Sequence, residues 1–475
     1  MLGRILLLTA ATMAPSLLIS LLYSDGAHMA FVYSIAIVLI AGTVASIAFH
    51  KQEQAMRPRE GFVTVALSWA LLSLFGSLPS YLAGVTPNFI DALFENTAGF
   101  TTTGATILVT VENLPESIIF WRSFTQWLGG MGVLILTLAI LPAGERGSQN
   151  LMWAELPGPT SERLVPRVRQ SVMILYLIYI ALTVLQIVML LFGKMSVYEA
   201  LVHAFATAGT GGFSSRDLNI GAFDSKYIEY VVGVFMLLFS ISYSLYYALI
   251  TRKVARIRKS TELRVYLSII VVSAALMAVN LSMSNYYDSI ATTVHHSLFH
   301  AISMSSSTGY SIVDYNLWPE FSKVVLLILM IVGACAGSTG GGLKAIRVTI
   351  LFKSAARELK KIIHPRSVSI VHIDGQPVQD RSITGILHYF IVYVIIVFAA
   401  ILLVSLDNMG AETTITSVFA SISNLGPGFG SVGPGMNYSE YSYLSKIVLT
   451  LTMLIGRLEI YPMLLLAFPS SWRRT

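Results

Sequence analysis

Apolar residues along this chain gather in long runs separated by short polar turns. Runs of roughly 18 residues or more, enough to cross a hydrocarbon core as helix, cover 31–49, 172–192, 227–250, 383–406 and 447–468. Another begins at Val324 and continues past Val332. No stretch alternates with the two-residue period and even spacing of barrel strands, so the runs are read as helices. Residues 1–23 carry one basic side chain, Arg4, ahead of an apolar run, the outline of a signal peptide. The run is long and no clear small-residue cleavage site follows it, so it is read as a first membrane helix.

More polar segments sit at every second turn: NFIDALFENTAGFTTTGAT, SVYEALVHAFATAGTGGFSS, DSIATTVHHSLFHAISMSSSTGYS and ETTITSVFASISNLGPGFGS. Each reads as a helix of about 10 residues, too short to span, followed by Ser, Thr and Gly, which is the form of a re-entrant loop. Helix starts are predicted at Asp91, at Ser196 with Glu199 in capping-box spacing, and at Asp288. Aligning TTTGA, GTGGF, SSTGY and GPGFG pairs Gly104, Gly212, Gly309 and Gly428, about 100 to 120 residues apart. The predicted architecture is therefore all-α and polytopic. A two-helix segment (1–59) precedes four pseudo-symmetric helix, re-entrant loop, helix repeats (60–160, 161–259, 260–365 and 366–475) around one central pore.

Composition agrees with a bilayer as solvent: 55% of the 475 residues are hydrophobic and 12% charged. Charge placement adds an orientation. Basic residues crowd alternate loops: Lys51, Arg57 and Arg59; Arg146, Arg163, Arg167 and Arg169; Arg252, Lys253, Arg256, Arg258, Lys259 and Arg264; Lys353, Arg357, Lys360, Lys361 and Arg366. The positive-inside rule makes these loops, and the N-terminus, cytoplasmic. The loops between carry Asp25, Glu112, Glu116, Asp217, Asp224, Asp288, Asp314, Glu320, Asp407 and Glu440, and face outward. The net charge of +6 thus needs no nucleic-acid partner. A single cysteine, Cys335, excludes an internal disulfide and a Cys-rich metal site. Trp69, Trp121, Trp127 and Trp318 are expected near the membrane interfaces.

Non-helical backbone at membrane depth is tolerated where it is buried or lines a water-filled cavity. There its carbonyls can replace an ion's hydration shell, and glycine supplies the dihedrals that aim them inward. Short helices ending at the same place add the partial negative charge of their C-termini, which also favours a cation. The candidate selectivity filter is Thr102, Thr103, Gly104, Gly211, Gly212, Thr308, Gly309, Pro427 and Gly428, with a cation held through Thr103, Gly212, Gly309 and Gly428. The competing reading, small residues that merely let helices pack closely, fits one such loop better than four at corresponding places.

Two further features lie outside the repeat pattern. Residues Cys335, Ala336, Gly337, Ser338, Thr339, Gly340, Gly341 and Gly342 interrupt an apolar helix expected from Val324 to Phe352, and glycines at about 0.5–1 kcal/mol each should break it. GSTGGGLK has the outline of a phosphate-cradling loop, but no strand precedes it and the spacing before Lys344 is wrong. It is read as a mobile intramembrane loop that opens and closes the pore, with a structural kink as the alternative. Arg457 falls within a span, where an arginine costs about 2.5–3.5 kcal/mol, so it should face the interior as a barrier to cations, or pair with Glu459. His295, His296 and His300 lie together without an acidic residue spaced to complete a zinc site. A membrane enzyme would need a nucleophile and a base in facing spans, and a sodium- or proton-coupled secondary transporter would need midplane ionisable residues or inverted repeats. Neither constellation is visible.

These residues resemble the Trk/Ktr/HKT superfamily of potassium transporters, and within it the bacterial TrkH/TrkG branch. The resemblance covers nearly the whole chain. It rests on the filter-like segments, WRSFTQWLGGMGV, GACAGSTGGGLKAIR and MLIGRLEIYP. It implies two extra N-terminal helices, a homodimer with one pore per subunit in the bacterial inner membrane, and potassium as the ion. Gly104 occupies the place where sodium-permeable plant relatives carry serine. It also implies a cytosolic TrkA-like ring that responds to NAD(H) or ATP/ADP. The longest cytoplasmic stretch on this chain, 353–383, is too short for a nucleotide-binding domain, and no covalent cofactor is expected.

Overall fold

The computed structural model describes residues 1–48, 58–132, 168–367 and 369–469. Lys51, Arg57, Arg146, Arg163, Arg167 and the boundary expected after residue 160 lie outside the described residues. The chain opens with a helical hairpin, α1 (Leu2–Tyr23) and α2 (His28–Ala48). The two pack so closely that a Cβ at Gly3 would stand 2.7 Å from the Gly42 carbonyl oxygen, a small-residue contact suited to lipid. Asp25 in the turn accepts the Ala27 N–H at 3.0 Å and the Ser117 N–H at 2.8 Å, tying the hairpin to the rest.

A spanning helix, a short helix and a returning helix then recur. The first set is α3 (Pro58–Gly76) with α4 (Leu78–Leu82), α5 (Phe89–Phe100) and α6 (Glu116–Gly130). The second is α7 (Val168–Phe192), α8 (Val197–Ala208), and α9 (Lys226–Ser240) with α10 (Tyr243–Ile250). After α11 (Val254–Lys259) comes the third: α12 (Thr261–Met283), α13 (Ile290–Ser305), α14 (Glu320–Val332) and α15 (Ala345–Ile363). A hairpin of β1 (His372–Ile373) and β2 (Gln376–Pro377) leads to the fourth: α16 (Asp380–Val404), α17 (Ala411–Ile422), α18 (Tyr443–Arg457) and α19 (Tyr461–Ala467).

Among the described residues six helices are long and apolar enough to cross a membrane, and the α9–α10 pair, bent by 92°, is a seventh candidate. That bend breaks the run expected at 227–250. The run expected at 447–468 is also broken, at a tight turn where the Tyr461 N–H donates to the Glu459 carbonyl at 2.8 Å and Ile460 is held at φ 70°. The chain is a multi-pass helical membrane protein.

Side chains cap two of the three helix starts predicted from sequence. Ser196 caps α8 as predicted, accepting the Glu199 N–H at 3.2 Å. α5 starts earlier than predicted, because Asn88 accepts the Asp91 N–H at 2.9 Å, and α13 follows Ser289 rather than Asp288. Trp69, Trp121 and Trp318, expected near the interfaces, are buried within the protein, 1%, 0% and 2% exposed. Internal hydrogen bonds allow this: the Trp121 indole N–H donates to the Gly76 carbonyl at 3.0 Å, and that of Trp318 to the Tyr287 hydroxyl at 3.1 Å.

Candidate ion pathway

Each short helix ends in the same way. One cap residue follows the last helical turn, and the next residue turns left-handed: Thr102 (φ 55°), Thr210 (55°), Ser307 (58°) and Asn424 (52°). The reversed chain satisfies the last helical carbonyls. Thr102 N–H donates to Gly99 O (3.0 Å) and Thr103 N–H to Ala98 O (2.8 Å), the 5→2 and 6→1 pattern of a Schellman end. The same pair of bonds recurs at Thr210 and Gly211, at Ser307 and Thr308, and at Asn424 and Leu425. Left-handed backbone at the β-branched Thr102 and Thr210 costs on the order of 1–3 kcal/mol each, strain of the kind that persists at functional sites.

Two residues later each chain turns left-handed again, at Gly104 (φ 77°), Gly212 (73°), Gly309 (79°) and Gly426 (94°). These turns close into a ring. A Cβ on Gly104 would stand 1.8 Å from Gly211 O, one on Gly212 2.0 Å from Thr308 O, one on Gly309 2.2 Å from Leu425 O, and one on Gly426 2.6 Å from Thr103 O. Every glycine thus presses on a backbone carbonyl of the next repeat, and the fourth returns to the first. All but glycine are excluded there by both conformation and space.

The structure therefore brings together Thr102, Thr103, Gly104, Gly211, Gly212, Thr308 and Gly309, but it does not place Gly428 in the ring. Gly426 stands there, and Gly428 lies beyond it, packed on Thr416 with its N–H bonded to Val432 O at 2.7 Å. Pro427, also named from sequence, follows Gly426 and its ring carbons abut Gly309. The signal that separates the two glycines is distance from the helix end. Each ring glycine is the fourth residue after its short helix, and in GPGFG only Gly426 meets that count.

Side chains behind the ring hold it in shape, and sequence reasoning missed them. Gln126 Nε2 donates to Gly211 O at 2.8 Å while its Oε1 accepts the Phe213 N–H at 3.2 Å. Glu95 accepts the Ile107 N–H at 2.8 Å and pairs with Arg122 at 2.7 Å, both side chains nearly fully buried. Asn424 Nδ2 reaches from the fourth repeat to Thr103 Oγ1 at 3.0 Å and to Met453 O at 2.9 Å. Tyr438 donates its hydroxyl proton to Gly426 O at 2.7 Å. No period in the sequence marks these long-range partners.

The glycine-rich segment between α14 and α15 is a loop, as predicted, and it abuts the ring. A Cβ on Gly340 would stand 2.8 Å from Ser306 O and one on Gly341 2.1 Å from Ser423 O, the caps of the third and fourth short helices. Gly341 N–H donates to Ser307 Oγ at 2.5 Å, and Thr339 Oγ1 to Phe239 O at 3.1 Å. Cys335 N–H bonds Ser240 O at 3.1 Å, Ser338 Oγ bonds Cys335 O at 2.6 Å, and Gly337 O accepts the Tyr243 N–H at 3.0 Å. Gly342 packs on Gly333 at the neck of the loop, and Ala336 meets Glu262.

Arg457 reaches this loop. Its guanidinium donates to Thr339 O at 2.8 Å, to Gly130 O at 2.9 Å and to Gly129 O. Glu459, the alternative partner weighed from sequence, pairs with Arg347 of α15. Arg457, Gly340, Gly341 and Asn424 line one cavity, and all four ring glycines line another cleft. His295 pairs with Glu229 at 2.5 Å, and among the described residues no group of three or more His, Cys, Asp and Glu could hold a metal ion.

Residues 27–474 match the family model TrkH, described as a cation transport protein. The chain is 35% identical to the Trk system potassium uptake protein TrkH of Escherichia coli K12, over 99% of this chain and 98% of that one. It is 32% identical to TrkG of the same organism, over 100% and 98%. The crystal structure of the potassium transporter TrkH from Vibrio parahaemolyticus superposes with a TM-score of 0.89 at 33% identity, covering 99% of this chain and 98% of that one.

Proposed function

This chain belongs to the TrkH family of cation transport proteins, and from that premise we propose that it carries potassium across the bacterial cytoplasmic membrane through the ring of glycine turns. It is a transport protein and not an enzyme. The observation that carries the proposal is the closure of the ring from Gly104 through Gly212 and Gly309 to Gly426, each on a carbonyl of the next repeat. Partly dehydrated potassium would pass among these carbonyls, with the C-terminal ends of the short helices adding negative potential. In this reading the repeats run 60–160, 161–259, 260–365 and 366–475 behind the N-terminal segment 1–59, and the basic loops and N-terminus are cytoplasmic.

Residues 335–342 are the gate and Arg457 the barrier. The loop fills the space against the third and fourth short helices, and a guanidinium within a span both anchors it and repels cations. The protein acts as a homodimer with one pore per subunit. Control comes from a cytosolic TrkA-like ring that binds NAD(H) or ATP/ADP; the basic loops suit an acidic surface on such a partner. Potassium is cargo, and no nucleotide is bound by this chain itself.

Expression in a bacterium lacking potassium uptake tests the proposal. The chain should restore growth in low potassium, and Gly104→Ser should lose that rescue or admit sodium, since its Cβ must displace Gly211 O. Failure of the intact, membrane-inserted chain to rescue growth together with its regulatory ring would overturn the reading.

A further inference from the structure

The β-hairpin at the basic end is bonded, through two consecutive residues, to the glycine-rich loop. Its turn holds Asp374 at φ 53° and Gly375 at φ 79°. The Asp374 carboxylate accepts the Thr261 N–H at 2.5 Å, and the Asp374 N–H donates to Thr261 Oγ1 at 3.1 Å. Thr261 is the first residue of α12. The next residue, Glu262, turns its carboxylate the other way and accepts the Ala336 N–H at 2.7 Å, with the Ile346 N–H facing the same carboxylate. One side chain therefore grips the loop before its glycine run and the first turn of α15 after it.

The hairpin is also tied to α15. Lys353 of α15 donates to His372 O at 2.8 Å, and Val371 packs among Ile346, Ile350, Ile383 and Ile386 in a small apolar cluster separate from the main core. The loop's other bonds come from neutral groups, such as Cys335 N–H to Ser240 O, and from two cations, Arg457 on Thr339 O and Lys344 on Gly340 O. Glu262 is the acidic side chain among these holds, and it stands next to Thr261, which the hairpin grips.

We propose that Glu262 is the latch that keeps the intramembrane loop against the third and fourth short helices, and that the hairpin at 371–378 is its handle. Displacing the hairpin draws Thr261 with it, withdraws Glu262 from Ala336 and frees the loop. Glu262 acts as a positioning residue, since the ion never needs to meet it. This inference rests on the reading of residues 335–342 as the gate.

Cys335 supplies the test, being the sole cysteine of the chain, adjacent to Ala336 and 1% exposed. The rate at which a methanethiosulfonate reagent modifies it is measured on the full-length protein in lipid, beside partner-free rubidium flux. Glu262→Ala should speed modification by at least about tenfold, the factor of a lost charge-assisted bond. Asp374→Ala, on the exposed hairpin, should act in the same direction, and Glu262→Gln, which keeps an acceptor oxygen, should lie between Glu262→Ala and the parent. Flux should rise in the same order. Unchanged Cys335 reactivity in both Glu262 variants, or in Glu262→Gln alone if the alanine variant does not fold, overturns the latch. Faster modification in the Glu262 variants but not in Asp374→Ala overturns the handle. Faster modification with unchanged flux supports the latch and overturns the gate reading beneath it.

Discussion

At the scale of the residue, the ring is defined by what a Cβ would strike. Gly426 sits at φ 94° with Thr103 O 2.6 Å from its would-be Cβ, whereas Gly428 has ordinary backbone and faces the movable Thr416 side chain. Gly426→Ala should therefore abolish flux, with left-handed strain of about 1–2 kcal/mol added to the clash, while Gly428→Ala retains most of it. Rubidium uptake by the two variants separates a ring closed by Gly426 from one closed by Gly428. The sequence carried both glycines and could not choose, because the deciding quantity is the distance from a helix end that capping chemistry sets. Behind the ring, Arg122→Ala leaves Glu95 buried without its ion-pair partner, so it should cost about 3–5 kcal/mol, read as a lowered melting temperature. Replacing both residues together should recover part of that loss.

At the scale of the element, apolar run length sufficed for the spans, and the short helices were legible because about 10 residues cannot cross a bilayer. What misled was continuity. The runs at 227–250 and 447–468 stay apolar through a 92° bend and through the turn at Ile460, since backbone reversals shielded by protein need no polar marker. The glycine-rich loop was legible because glycine is both a helix breaker and the residue that permits close approach. Its location against two short helices was not, since that depends on tertiary contacts, such as Gly341 with Ser307 and with Ser423, that no periodicity marks. Two variants test the loop as a gate. Gly341→Ala drives a methyl into Ser423 O, and Arg457→Ala removes the bond to Thr339 O; both should raise rubidium flux in the absence of any partner. Unchanged conductance and uptake in Arg457→Ala would contradict its role as a barrier.

At the scale of the whole molecule, the fourth helix set closes on the first through two long-range bonds. Lys446 of α18 pairs with Asp91 of α5 at 2.7 Å, both buried, and the Tyr438 N–H donates to Thr106 O at 2.8 Å. Neither bond is visible as a sequence pattern, since the partners stand at opposite ends of the chain. Lys446→Met opens this seam and should lower both thermal stability and selectivity for potassium over sodium, measured on one preparation. The repeats are alike in their ring turns and unlike elsewhere: the loop belongs to the third and Arg457 to the fourth. That division would allow one pathway to be both selective and gated. The most direct measurement is rubidium flux into liposomes containing the purified chain under an imposed potassium gradient, with Gly104→Ser alongside. Potassium should suppress the flux by competition in the parent and sodium only in the variant; absence of flux, with and without the regulatory ring, would contradict potassium transport through the ring of glycines.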